Sequence, residues 1–86
     1  MEIAELKQNV DELQIELDAL SCYDDKGAEN LIKKYLRLAP PMSEVGYIYA
    51  SFSESKNSKK DEVRRAKFWS GVESLRVAIE DLVRYQ

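Results

Sequence analysis

Histidine is absent from the 86 residues. That removes the usual general base near neutral pH, the commonest transition-metal ligand, and any Ser–His or Cys–His nucleophile pair within one chain. Cysteine occurs once, at Cys22, so no intrachain disulfide can form and a zinc site lacks its ligands. A lone thiol fits a reducing compartment, and the expected location is cytoplasmic. Gly27, Gly46 and Gly71 stand apart, so there is no glycine-rich phosphate loop, and the two prolines are confined to Pro40-Pro41. No apolar run approaches the roughly 18 residues of a membrane span. The opening Met1-Glu2-Ile3-Ala4-Glu5 has neither the basic start nor the apolar core of a signal peptide. These absences argue against an enzyme, against a cofactor or metal, and against a membrane partner.

Two local features bear on chemistry. Asp24-Asp25 lacks the alternating ligands and terminal Glu of a calcium loop, and reads as a helix cap. Cys22 has no base to activate it, and Asp24 and Asp25 disfavour its thiolate.

What is present is helical pattern. Hydrophobic residues make up 44% and charged residues 34%, a globular mix rather than a disordered one. The length suits one domain, 1–86, with a thin stability margin. Ile3, Leu6, Val10, Leu13, Leu17 and Leu20 recur at alternating intervals of three and four, an a/d seam over a helix at about 2–21. Such a stripe drifts about 20° per heptad on a straight helix, which favours supercoiling against a partner helix. Ile15 falls outside the stripe and reads either as a tolerated surface residue or as a second contact face for another subunit.

A turn at Ser21–Gly27 leads to a helix at about 26–38, with Ala28, Leu31, Ile32, Tyr35 and Leu36 on one side and Leu38 extending it. Pro40 ends it by pushing Ala39 out of helical geometry. Residues 42–52 are ambiguous. Val45, Ile48, Tyr49 and Phe52 have helical spacing and Ser43 can cap, giving a helix at 43–53, yet Val45–Tyr49 is also rich in strand formers. A strand would need a partner from another chain. Residues 53–58 read as a polar linker, and Ser58 with Asp61 as a capping box opening a final helix at 59–84. On that helix Phe68, Val72, Leu75, Ile79 and Leu82 form the second seam, widened by Trp69 and Val83, while Asp61–Arg65 and Glu80–Arg84 are i, i+4 ion pairs. The expected fold is all-α: a small helical bundle or helical hairpin with coiled-coil-like packing of the N- and C-terminal helices.

Charge is segregated. Residues 1–25 carry eight acids against Lys7, and 56–67 carry Lys56, Lys59, Lys60, Arg64, Arg65 and Lys67 against two acids. The first reading is mutual screening within or between subunits. The others are nucleic-acid contact by the basic block and phosphate mimicry by the acidic helix. Tyr23, Tyr35, Tyr47, Tyr49 and Tyr85 are many tyrosines for this length. Tyr47 and Tyr49 project to different sides in either helix or strand, so at least one lies near solvent or a partner. Trp69 reads as a core anchor or, failing that, an interface anchor. Together these features predict a non-enzymatic protein–protein interaction module, an adaptor, small assembly chaperone or inhibitor. They also predict self-association through the seams as a homodimer or other homo-oligomer, with a nucleic-acid-associated factor as the alternative.

Overall fold

A computed structural model describes residues 2–84, so Tyr85 lies outside the described residues. They form four helices and no strand: α1 (Ile3–Asp18), α2 (Asp25–Leu38), α3 (Gly46–Asn57) and α4 (Asp61–Arg84). The connections, 19–24, 39–45 and 58–60, are short, which makes successive helices antiparallel neighbours. α1 meets α2 and α4, α3 meets α2 and α4, and α2 touches α4 across the diagonal, whereas α1 and α3 do not touch. The result is an up-and-down four-helix bundle of 44 × 26 × 18 Å, strung along α4, which is about 36 Å long.

The expected seams meet inside the chain. Leu6, Val10, Leu13 and Leu17 of α1 join Phe68, Val72, Leu75, Ile79 and Leu82 of α4 in one core with Ala28, Leu31, Ile32, Tyr35, Ile48 and Phe52. Each fully buried Leu, Ile or Phe contributes about 1.5–3 kcal/mol relative to exposure. The two ends of the α1 seam depart from this: Ile3 is 62% exposed and Leu20 is only half-buried beyond the helix end. Ile3 sits at the drifting end of a heptad stripe on a straight helix, and Leu20 lies past Asp18, where α1 has already ended.

Gly71 lets α3 lie close on α4. A Cβ there would fall 2.9–3.0 Å from the Phe52 ring. Phe52 in turn meets the fully buried Phe68 edge-to-face at 5.3 Å. Gly27 serves a different end: the Asp24 carboxylate accepts its backbone N–H at 2.9 Å, capping α2, and a Cβ would press within 2.4 Å of that carboxylate.

Several expectations need correction. Residues 53–58 are no linker: α3 runs on to Asn57, and Ser55 is fully buried, donating to the Arg64 carbonyl at 2.6 Å. A hydroxyl at a buried position imitates a polar linker in sequence because its partner is tertiary. α3 starts at Gly46 rather than Ser43, whose hydroxyl donates to the Pro40 carbonyl at 2.7 Å. Residues 42–52 hold no strand. Ser58 forms no capping box, since it ends α3, with its N–H on the Ser55 carbonyl at 3.1 Å. Leu36 is 39% and Trp69 41% exposed, so neither belongs to the core. Trp69 is rotated about 100° from Phe68 on α4 and only edges that ring at 5.5 Å. Arg84 pairs with Asp81 at 3.3 Å rather than with Glu80, whereas Arg65 pairs with Asp61 at 3.3 Å as expected.

Candidate functional site

Half of the basic segment is spent within the chain. Arg65 pairs with Asp61, Lys67 with Glu54 at 3.0 Å, and Arg64 approaches Asp25 at 4.0 Å. Lys56, Lys59 and Lys60 keep exposed side chains at the α3–α4 turn. Arg64 also lies 4.0 Å above the centre of the Tyr23 ring, a cation–π contact. Tyr23 is the buckle of this corner. Its hydroxyl donates to the Asp61 carboxylate at 2.6 Å, and its ring meets Phe68 edge-to-face at 6.1 Å. The hydrogen bond to Asp61 is the main cause holding the Tyr23 hydroxyl above its ordinary pKa of 10.0. These contacts hold Tyr23 in the left-handed region, φ 69°, at a cost of order 1 kcal/mol for a non-glycine residue. No local sequence signal marks this contact, because Tyr23 and Asp61 are 38 residues apart.

The acidic helix is only partly screened. Glu16 pairs with Lys34 on α2 at 2.6 Å and Asp18 with Arg76 on α4 at 2.6 Å. Among the described residues, Glu5, Asp11 and Glu12 form no ion pair. No helix among the described residues is long and apolar enough to cross a membrane, and no group of three His, Cys, Asp or Glu residues is placed to hold a metal ion.

An open groove of about 490 Å³ lies between α1 and α2. Its α1 wall is Glu12, Leu13, Ile15 and Glu16, and its α2 wall is Lys34, Arg37 and Leu38. Leu13 is buried and Leu38 half-buried, so the depth is apolar. Ile15 is 69% exposed at the lip, on the side of α1 turned away from the Leu6–Leu17 stripe. One wall is acidic and the other basic, and Glu16–Lys34 bridges them. Sequence reading singled out Ile15 but missed Arg37 and Leu38, because only the antiparallel α1–α2 hairpin brings them beside it.

The remaining expected contacts are dispersed. Tyr47 is 52% exposed near the start of α3, and Tyr49 is 38% exposed beside a second, smaller groove that Ile32, Phe52 and Lys56 also line. Trp69 lies on α4. Neither Tyr47 nor Trp69 lines the α1–α2 groove. Met42 is almost wholly exposed on the Pro40-Pro41 turn, at φ 66°. No protein-family model matches the chain, and comparison with curated proteins and with solved structures returns no match.

Proposed function

We propose that this chain is a non-enzymatic protein–protein interaction module acting in the cytoplasm, and that its working surface is the α1–α2 groove. The observation that carries this reading is Ile15, an isoleucine 69% exposed at the lip of a groove with an apolar depth. Exposing it forgoes about 1.5–3 kcal/mol of burial that a partner would recover. The absence of histidine and the acid-rich composition support binding over catalysis. The basic segment gives weaker support to a nucleic-acid role, since three of its six bases face carboxylates of the same chain.

A photo-cross-linking residue at position 15 tests the reading, with the same probe at Val77, exposed on α4, as control. The expected result in an extract of the native host is protein adducts from position 15 and none from position 77. No adduct from position 15, or the same adducts from both, overturns it.

A further inference from the structure

Resting on that reading, we propose that the occupant of the α1–α2 groove is a second copy of this chain, related by a two-fold axis running along the groove. An isologous interface needs one patch that holds both halves of every contact. This patch does. It has a recess, deepened by Leu13 and Leu38, and a projecting apolar side chain, Ile15, at its lip. It also has an acid and a base without partners: neither Glu12 nor Arg37 forms an ion pair among the described residues.

Charge selects the axis. The α1 wall of the groove carries Glu12 and Glu16 and the α2 wall Lys34 and Arg37, giving −2 and +2. A two-fold across the helices would stack α1 on α1 and α2 on α2, opposing like charges. A two-fold along them lays α1 of one copy over α2 of the other and preserves height along the axis. Glu16 faces Lys34 across the groove at 2.6 Å. One turn further along the antiparallel pair, about 4.5–6 Å, Glu12 is nearly level with Arg37. Rotation about the longitudinal axis therefore brings Glu12 of each copy over Arg37 of the other, and Ile15 of each copy against the α2 wall of the other's groove. The acidic and basic walls, segregated within one chain, become complementary between two.

The test is sedimentation of the full chain across the micromolar range, read together with thermal melts. The wild type should sediment as a dimer of the 9.9 kDa chain. Ile15→Asp should weaken dimerisation by about a hundredfold or more, because two apolar contacts are lost per dimer. Glu12→Arg and Arg37→Glu should each weaken it by about tenfold, and the double swap should restore it. Melts at a concentration where all species are monomeric should be close to wild type, so that a loss is not a folding defect. A dimer that Ile15→Asp leaves intact, or that the double swap does not restore, overturns the proposed pairing. A wild-type monomer whose position 15 still cross-links to other proteins overturns the second copy and leaves the module intact. A monomer with no adduct at that position overturns both.

Discussion

Adding one methyl group at Gly71 sets two known effects against each other. In a helix interior, Gly→Ala ordinarily stabilises by about 1 kcal/mol. Gly71 lies near the middle of α4, so helix propensity alone predicts a higher melting temperature. The new Cβ, however, would stand 2.9 Å from Cζ and 3.0 Å from two further atoms of the Phe52 ring. That ring is 7% exposed and wedged edge-to-face against the fully buried Phe68, so it has little room to retreat. Overpacking of this kind costs about 1–3 kcal/mol. The two contributions leave a net loss of up to about 2 kcal/mol, and each kilocalorie lowers Tm by about 4–8 °C in a chain of this size. Calorimetry or dichroism melts of Gly71→Ala read this directly. Gly46→Ala is the control: nothing stands within 4 Å of its Cβ position, and the substitution should be neutral or slightly stabilising. Shrinking the obstacle should relieve the strain, so Gly71→Ala combined with Phe52→Leu should cost about 1 kcal/mol less than the sum of the two alone. A Gly71→Ala protein that melts above wild type would refute the claim that Phe52 closes the α3–α4 contact.

Two further perturbations probe other parts of the bundle. Leu13→Asp places an unpaired carboxylate at a site only 4% exposed and should cost more than about 2 kcal/mol or abolish folding, whereas Glu12→Lys should leave the monomer's melt nearly unchanged. Equal melts for the two would mean that the buried side of α1 is misassigned. Tyr23→Phe bears on alkaline stability. The Tyr23 hydroxyl is held above 10.0 chiefly by its hydrogen bond to Asp61, and Tyr35 is raised chiefly by burial. A group whose folded-state value is raised gives its full stabilisation below the unfolded-state value and loses it as pH climbs through the folded-state one. Denaturant melts stepped from about pH 9 to pH 11.5 should therefore show falling stability above pH 10. The fall should be shallower in Tyr23→Phe, with the remainder owed to Tyr35. Identical slopes would show that the Tyr23–Asp61 contact does not form in solution.

The all-α bundle was legible because the seams of α1 and α4 are long, regular and built from residues that have little to do but pack. Leu6–Leu17 and Phe68–Leu82 are buried almost as their spacing requires. Legibility ended where a residue's role is set by something distant in the chain. Ser55 has the polarity of a linker, yet it is buried because the Arg64 carbonyl offers it a partner across a tight hairpin. Trp69 has the bulk of a core anchor, but its position on α4 turns it away from the Phe68–Leu82 stripe, and position outweighs hydrophobicity. The α1–α2 groove was half visible. Ile15 broke the pattern and drew notice, while Leu38 and Arg37 looked like the ordinary end of a helix.

The burial of the seams changes where a partner can bind. In sequence, two heptad stripes on a chain of marginal size argue for association through the stripes themselves. Once α1 and α4 have closed on each other within one chain, those side chains have nothing left to offer: Leu17, Val72, Leu75 and Ile79 are at most 1% exposed. A second chain could take the seam only by displacing α4 or α1, exchanging identical contacts for no new burial. Association has a driving force only where surface remains unspent, and beside the scattered Met42, Tyr47, Trp69 and Val77 that surface includes Ile15, an apolar recess and the charges that flank it. Its chemistry predicts a salt-sensitive interaction, since the Glu12 and Arg37 contacts are exposed and screened over about 8 Å at physiological ionic strength. Pairing through the seams would be nearly indifferent to salt. Sedimentation in low and high salt therefore separates the two modes: dimerisation that weakens with added salt supports the groove, and dimerisation untouched by it returns the interface to the seams.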